Sequence, residues 1–238
     1  MTTKSIEAVI LAGGKGSRLR PFTENMPKAL VPVGGRPIIE ILLLQLREAG
    51  VRRVHIAVGH MSHLITAVLG NGSDMGLDIR YSNEDEPLST VGPLTLIDNL
   101  PENFLVLNGD ILTDLNITAL YEHHLNNDAK LTVAAHRRTE KIDYGVIEVA
   151  PDGHVTGFRE KPGYDFTVSM GIYVFSRSVL DHLPKGERFG FDDLMLKLLE
   201  EKEPISAYLY DGYWLDIGRP DDYEIANHDI ARIEGLLG

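Results

Sequence analysis

Hydrophobic positions in the first 130 residues alternate between short continuous runs and segments with helical spacing. The run Ala8–Leu11 is wholly aliphatic, which is typical of a strand buried on both faces. Similar runs predict strands at 53–58, 77–81 and 104–107. Helical spacing predicts helices at 37–49, 62–69, 93–99 and 116–126. Regular β–α alternation predicts an α/β fold with a mostly parallel sheet and flanking helices.

The second half has a more mixed pattern. Strand-like runs occur at 130–136, 145–149, 154–159, 171–175 and 206–210. Helices are predicted at 176–182, 192–201 and 219–233, with Asp192 and Asp193 as the N-cap and first-turn residues of the second. No linker separates the halves. We therefore predict one domain over 1–238, with a mixed-sheet half beginning near residue 140.

Two candidate site residues follow strands. Gly13 comes after the first strand and Asp110 after the strand at 104–107. Parallel sheets bind ligands beyond the carboxyl ends of their strands, so both residues are expected at one edge of the sheet.

Composition narrows the function classes. The chain has 238 residues, a net charge of -12 and no cysteine, which excludes disulfides, thiolate nucleophiles and cysteine-bound metals. The acidic charge argues against nucleic-acid or anionic-membrane partners, although a local basic pocket for a phosphorylated small molecule fits. No targeting segment or membrane-spanning run is evident, and we expect a cytoplasmic protein.

The loop after the first strand is rich in glycine and carries Arg18 and Lys28. Glycines there let backbone N–H groups approach a phosphate closely. The loop is not a P-loop, because Gly16 follows Lys15 where that motif needs Ser or Thr. It is not a dinucleotide fingerprint either, because Leu19 occupies the position of the third glycine.

The run from Gly13 to Lys28 resembles the signature loop of the sugar-1-phosphate nucleotidyltransferases, G-G-x-G-x-R-L-x-P-x-T-x-x-x-P-K. The resemblance extends over nearly the whole chain and favours the guanylyl and uridylyl branches. Further similar segments are 87–92, Asn108-Gly109-Asp110, Tyr144-Gly145-Val146, Glu160-Lys161-Pro162, 171–175 and 214–220. The resemblance implies a Rossmann-like, GT-A-like nucleotidyltransferase domain. This domain would have a nucleotide-binding half (about 1–140) and a sugar-binding half (about 141–238).

The implied reaction joins an NTP and a sugar 1-phosphate to give an NDP-sugar and pyrophosphate. The resemblance implies that Arg18, Lys28 and Asp110 are catalytic and that Asp110 and Asp216 hold Mg²⁺. The implied NTP-binding residues are Leu11, Ala12, Gly13, Gly14, Gly16, Arg18, Glu84, Pro87 and Ser89. The implied sugar-phosphate-binding residues are Lys28, Gly145, Glu160, Lys161 and Ser169.

The chain departs from the family pattern near the base and near the sugar. Ser89, Val91 and Pro93 replace an expected Gly, Ala and Ala, and Ser169-Met170-Gly171 replaces Asn-Ala-Gly. Glu84 is either an acceptor for guanine N1–H and N2–H or an ordinary charged loop residue. We favour GTP with a manno-configured hexose or heptose 1-phosphate, and UTP with a hexose or amino-sugar 1-phosphate is the alternative.

Other classes are less well supported by the residues. A non-catalytic nucleotide-sugar-binding regulatory protein would tolerate loss of Lys28, Asp110 or Asp216, and all three are present. A glycosyltransferase would place Asp-x-Asp at the end of a strand, and none is found there. The sequence is compatible with a homo-oligomer. Because the chain ends at Gly238, soon after the last predicted helix, we expect a single activity.

Overall fold

A seven-stranded sheet forms the centre of the molecule. The structure is a computed structural model that describes residues 6–229 and residue 235. Its strands are β1 (Glu7–Ala12), β2 (Pro32–Val33), β3 (Arg36–Pro37), β4 (Arg53–Val58), β5 (Asp78–Asn83), β6 (Asn103–Asn108), β7 (Ile111–Thr113), β8 (Leu131–Lys141), β9 (Val146–Val149), β10 (Val155–Arg159), β11 (Gly163–Ser176), β12 (Ile205–Tyr210) and β13 (Trp214–Asp216). Its α-helices are α1 (Ile38–Glu48), α2 (Ser62–Leu69), α3 (Ile117–Asn126), α4 (Phe191–Glu200) and α5 (Pro220–His228).

The strand order of the central sheet is β12-β8-β11-β6-β1-β4-β5. Strand β1 lies between two parallel neighbours, with Ile10 opposite Ile56 of β4 and Leu107 of β6. Only β11 runs against the other strands of this sheet, and it is inserted between β6 and β8. The mostly parallel α/β sheet predicted from the sequence is therefore confirmed, and β11 accounts for the mixed character of the second half.

Side chains of the central strands enter two cores, one on each face of the sheet. Val9 and Ile10 are both fully buried, but they belong to different clusters because adjacent strand residues point to opposite faces. Residues of α1, α2 and α3 pack in the cluster around Ile10, and residues of α4 pack in the cluster around Val9. This double burial explains why the strands read as continuous hydrophobic runs.

A third, smaller cluster attaches the C-terminal segment to the first half. It joins Leu19 of the glycine loop, Ile38 of α1, Leu112 of β7 and Ile217, which follows β13. All four side chains are fully buried. The cluster holds the end of β13 beside the strand ends of the first half.

The long strands β8 and β11 continue beyond the sheet as a two-stranded arm. Their register runs from Leu131 opposite Phe175 to Lys141 opposite Gly163, and the outer residues of β8 are exposed. The hairpin β9–β10 lies between these strands in the chain. The predicted boundary near residue 140 falls at the end of β8, and the division into two functional halves stays a prediction.

The helical segments differ from the predictions in detail. The helix predicted at 93–99 is a short 3-10 helix, Gly92–Leu96, and that predicted at 176–182 is a 3-10 helix, Arg177–His182. The last predicted helix is observed as α5, and residues 230–233 of the prediction lie outside the described chain.

The prediction that Asp192 caps α4 was wrong. Gly190 is the N-cap, and its N–H donates to the Asp193 carboxylate at 2.9 Å. Among the described residues, no helix has the length and apolar composition needed to cross a bilayer.

Candidate active site

The glycine loop after β1 folds back over Lys28. Gly16 has φ +61, and a Cβ at this position would lie 2.9 Å from the Lys28 Cβ and 3.0 Å from the Thr23 Cγ2. The Thr23 hydroxyl donates to the Gly16 carbonyl at 2.8 Å. Only glycine combines this left-handed conformation with so close an approach. The loop therefore fixes Lys28 at the carboxyl edge of the sheet.

A cleft of about 770 Å³ opens at this edge. Ten of the predicted site residues line it: Leu11, Gly13, Gly14, Gly16, Arg18, Lys28, Glu84, Pro87, Ser89 and Asp110. Gly13 and Asp110 thus share one site, as their positions after β1 and β6 predicted. Ala12 does not line the cleft, because its side chain packs in the core around Ile10. A contact between its backbone and an NTP stays a prediction.

Several lining residues were not predicted. Lys15, Ser17, Gly59, His60, Asp85, Thr90, Asn108 and Gly218 also line the cleft. Gly59 and His60 directly follow β4, so the rule that ligands bind at strand ends could have found them.

Asp110 and Asp216 are brought together by a short antiparallel pairing. Strand β7 begins directly after Asp110, and Ile111 of β7 is the register partner of Asp216 in β13. The Ile217 N–H donates to the Asp110 carbonyl at 3.0 Å. Lys28 Nζ contacts Asp110 Oδ2 and lies 3.9 Å from Asp216 Oδ1. One cationic group thus faces both carboxylates.

The charges at this point are incompletely balanced. Partial burial raises the pKa of Asp216, the nearby Asp110 carboxylate raises this pKa further, and the Lys28 ammonium opposes both. Asp110 Oδ1 is buried and accepts no hydrogen bond from the described residues. Two converging carboxylates with an unsatisfied oxygen form a donor set that fits a divalent cation.

Glu84 closes the floor of the cleft. Its Oε2 accepts a hydrogen bond from the Leu88 N–H at 2.9 Å. Its Oε1 occupies the space that a Cβ at Gly13 or Gly59 would need. The carboxylate therefore ties the 84–88 segment to the loops after β1 and β4. Recognition of guanine by Glu84 stays a prediction.

A second cleft of about 450 Å³ adjoins the first through Arg18 and Gly218, which line both. Its further lining residues are Arg138, Glu140, Val168, Trp214, Asp216, Arg219 and Asp222. The Trp214 indole donates to the Met170 carbonyl at 3.0 Å, which fixes the ring in the wall. Asp216 lines this second cleft, whereas Asp110 lines the first.

The predicted sugar-side residues lie outside both clefts, except for Lys28. Gly145 and Glu160 are close together, because a Cβ at Gly145 would lie 3.3 Å from Glu160 Oε2 and 2.7 Å from the Phe158 ring. Lys161 follows with φ +42. These three residues belong to the hairpin region of the arm, whereas Ser169 lies in β11. The structure does not bring them to the second cleft.

Ser169 makes a hydrogen-bonded pair with a buried tyrosine. Its hydroxyl donates to the Tyr173 hydroxyl at 3.1 Å and accepts from the Gly171 N–H at 3.3 Å. Burial raises the pKa of Tyr173 to about 12, and the carboxylates of Asp110 and Asp216 act in the same direction. The tyrosine is therefore neutral and protonated next to the acidic pair. Tyr173 was not predicted as a site residue, because an apolar strand run gives no signal for a polar contact.

Comparison with known proteins assigns the family. The sequence model of the family described as Nucleotidyl transferase matches residues 7–233. The chain belongs to this family. The match covers both clefts and all the predicted site residues, so the resemblance noted from the glycine loop is confirmed.

Relatives within the family include guanylyltransferases and a uridylyltransferase. The chain is 30% identical to the D-glycero-alpha-D-manno-heptose 1-phosphate guanylyltransferase of Aneurinibacillus thermoaerophilus, over 94% of this chain and 98% of that protein. It is 32% identical to the mannose-1-phosphate guanylyltransferase of Mycobacterium tuberculosis, over 98% of this chain. It is also 32% identical to the UTP--glucose-1-phosphate uridylyltransferase of Synechocystis, over 96% of this chain and 67% of that protein.

A solved structure shows the same fold. HddC from Yersinia pseudotuberculosis, in complex with GMP-PN, superimposes with a TM-score of 0.73 at 26% identity, over 94% of this chain and 99% of that chain.

The relatives differ in length, and the chain spans only part of some of them. The chain spans 66% of the M. tuberculosis protein and 60% of a mannose-1-phosphate guanylyltransferase catalytic subunit beta from Drosophila pseudoobscura.

Proposed function

We propose that this chain is a Mg²⁺-dependent sugar-1-phosphate guanylyltransferase. The observation that carries the proposal is the convergence of Asp110, Asp216 and Lys28 where the two clefts meet. The proposed substrates are GTP and a manno-configured hexose or heptose 1-phosphate. The products are the GDP-sugar and pyrophosphate.

The reaction is an in-line displacement at phosphorus. An oxygen of the sugar 1-phosphate forms a bond to the α-phosphorus of GTP, and the bond between this phosphorus and the bridging oxygen to the β-phosphate breaks. Pyrophosphate leaves with that electron pair. The attacking oxygen is already ionised, so no general base is needed. The enzyme must position two anions and stabilise their charge.

The first cleft supplies a binding site for the triphosphate. Backbone N–H groups of the glycine loop and the Arg18 guanidinium face the phosphates, and Lys28 provides a further positive charge beside them. Asp110 Oδ1 and Asp216 would hold the metal ion. When bound there, Mg²⁺ supplies charge neutralisation for the phosphate oxygens.

The second cleft is the proposed site of the sugar 1-phosphate. It shares Arg18 with the triphosphate cleft and adds the guanidinium groups of Arg138 and Arg219. Gly145, Glu160 and Lys161 do not line this cleft, whereas Arg138, Glu140 and Val168 of the β8–β11 arm do. Contact of Gly145, Glu160 and Lys161 with the sugar stays a prediction.

Guanine is favoured over other bases by the named substrates of the relatives. The A. thermoaerophilus and M. tuberculosis proteins are guanylyltransferases, and the HddC structure holds GMP-PN. UTP is the second candidate, because the Synechocystis relative is a uridylyltransferase. A non-catalytic sensor is disfavoured, because the catalytic candidates Lys28, Asp110 and Asp216 face one another in the site.

A pyrophosphate-release screen tests the proposal. Each of the four common NTPs is offered with a panel of sugar 1-phosphates, with Mg²⁺ and with excess EDTA. We expect release from GTP with mannose 1-phosphate or a manno-heptose 1-phosphate, and loss of that release in EDTA. Release of pyrophosphate with UTP alone would show that the base recognised is uracil and not guanine. Nucleotide binding without pyrophosphate release from any pair would support the sensor instead.

A further inference from the structure

Strand β11 contains a bulge at the point where it passes the two aspartates. Ser169 is the register partner of Ala135 in β8, and Tyr173 is the partner of Val133, so four steps along β11 match two steps along β8. Gly171, within the bulge, has φ +73. Bulges redirect the chain and are over-represented beside active sites, so the contacts of this bulge indicate what it positions.

The bulge packs directly against the segment that carries Asp110. A Cβ at Gly171 would lie 2.5 Å from Asn108 Nδ2 and 3.0 Å from Ile111 Cδ1. Asn108 ends β6 and Ile111 begins β7, so the bulge contacts the chain on both sides of Asp110. Only glycine combines the left-handed backbone with so close an approach. The position of Asp110 is therefore tied to the bulge.

The same bulge also holds the segment that carries Asp216. The Trp214 indole N–H donates to the Met170 carbonyl at 3.0 Å. Trp214 lies two residues before Asp216 in β13, and residues at this spacing point to the same face of a strand. Both residues line the second cleft. The indole thus anchors β13 to β11 on the side where the Asp216 carboxylate lies.

The remaining ties between the two segments are made by a short ribbon. The β7–β13 pairing has three register pairs, and the Ile217 N–H donates to the Asp110 carbonyl just beyond it. A two-stranded ribbon has little stability of its own. A shared Mg²⁺ needs carboxylate oxygens roughly 3 Å apart, because it binds oxygens at about 2.1 Å in near-octahedral geometry. A contact outside the ribbon would hold this spacing.

We infer that Trp214 is a positioning residue, whose hydrogen bond to Met170 sets the spacing of Asp216 from Asp110 and thereby the affinity of the pair for a divalent cation. The inference rests on the proposed metal role of the two aspartates. The competing role for Trp214 is contact between its ring and the sugar, and that role requires no indole N–H.

Trp214→Phe separates the two roles, because phenylalanine keeps an aromatic ring and lacks the N–H. Mn²⁺ is titrated into protein saturated with a non-hydrolysable GTP analogue, and free Mn²⁺ is measured by electron paramagnetic resonance. We expect the dissociation constant for Mn²⁺ to rise about tenfold, the lower end of the effect of removing an outer-shell partner. Tyr81→Phe is the matched control, because it removes the hydrogen bond from the Tyr81 hydroxyl to the Gly70 carbonyl away from both clefts. The control should bind Mn²⁺ like the wild type.

Gly171→Ala perturbs the bulge from the side of Asp110, and we expect it to raise the dissociation constant for Mn²⁺ as well. Circular dichroism checks that each variant is folded. The activity that Trp214→Phe loses at low Mn²⁺ should return at higher Mn²⁺, which loss of a sugar contact or a general structural defect would not produce. Wild-type affinity for Mn²⁺ in folded Trp214→Phe would overturn the inference, whatever its KM for the sugar 1-phosphate.

Asp110→Asn in the same titration tests the proposed metal site separately. We expect it to lose the bound Mn²⁺ that the wild type holds beyond the analogue alone. Equal Mn²⁺ affinity of Asp110→Asn and the wild type would refute the metal site, and the inference with it. Loss of Mn²⁺ in Asp110→Asn, together with wild-type affinity in Trp214→Phe, would refute only the positioning role of Trp214.

Discussion

The Lys28 ammonium lies between two carboxylates that are distant in sequence, in contact with Asp110 and 3.9 Å from Asp216 Oδ1. The glycine loop positions the lysine, and the β7–β13 pairing positions the two aspartates. Lys28 thus partly neutralises a pair of acids in which burial, and then the Asp110 carboxylate, raises the pKa of Asp216. On binding, a metal ion would interact with the two carboxylates, and a triphosphate would interact with the Lys28 ammonium.

Asp110→Asn should lower kcat/KM by at least about 100-fold, on the order of 2.7 kcal/mol of transition-state stabilisation. The amide keeps the shape of the side chain but loses the charge that a divalent cation requires. Steady-state kinetics with saturating Mg²⁺ measure the effect. Asp74→Asn, at an exposed position in a 3-10 helix, is the control and should leave kcat/KM unchanged. A loss below tenfold for Asp110→Asn would count against a metal role.

Lys28→Ala should weaken nucleotide binding while the protein stays folded. Removal of the ammonium takes away a cation from the triphosphate site and also raises the pKa of Asp216 further, because Lys28 opposes that rise. Calorimetric titration with GTP measures the affinity, and circular dichroism checks the fold. The exposed Lys185 provides the control substitution Lys185→Ala. Equal GTP affinities for Lys28→Ala and the wild type would remove Lys28 from the site.

Gly16→Ala should cost about 1–3 kcal/mol of stability, because its left-handed backbone is unfavourable for alanine and the new Cβ would crowd Lys28 and Thr23. Gly14→Ala is the matched control in the same loop, since a Cβ there meets nothing within 4 Å. Urea unfolding of both variants gives the comparison. Similar losses for the two substitutions would show that the loop conformation is not the cause.

Acid should destabilise the protein through His124. This histidine is buried, and its ring nitrogens contact Thr132 at 2.9 Å and Asn103 and Ser176 at 3.1 Å each. Burial lowers the pKa of His124 from 6.5 to about 4. Between pH 6.5 and pH 4 the unfolded chain binds a proton at His124 that the folded chain does not bind. The contribution of His124 to the stability of the protein therefore falls as the pH drops below 6.5.

The loss from His124 should approach about 3 kcal/mol at pH 4, relative to neutral pH. Urea unfolding at a series of pH values measures it as the difference between the wild type and His124→Gln, which removes the titrating ring. His63→Gln, at an exposed position on α2, should keep the wild-type pH dependence. An unchanged slope in His124→Gln would assign the acid sensitivity to other groups.

The part of the site that follows central strands could be predicted from the sequence. The run Ala8–Leu11 identifies a buried strand, and the positions of Gly13 and Asp110 after strands place them at one edge. Local hydrophobic pattern was sufficient, because strands buried on both faces are continuous apolar runs and ligands bind at their carboxyl ends.

Features that depend on long-range packing could not be predicted from local pattern. The approach of Asp216 to Asp110 depends on the β7–β13 pairing and on a small cluster around Ile217, which no local periodicity reveals. Arg138 lies in no motif, and Arg219 lies in the family-like segment 214–220 without an assigned role, yet both line the second cleft. Glu160 and Lys161 were inferred from resemblance alone, and their place on the arm depends on a conformation that sequence does not specify.

An anomalous-diffraction map of crystals grown with Mn²⁺ and a non-hydrolysable GTP analogue would show whether Asp110 and Asp216 share a metal ion. We expect one Mn²⁺ peak bonded to both Asp110 and Asp216, next to the α-phosphate, with the triphosphate along the glycine loop and Lys28 moved from between the carboxylates. A nucleotide bound elsewhere, or a Mn²⁺ peak that touches neither aspartate, would contradict it.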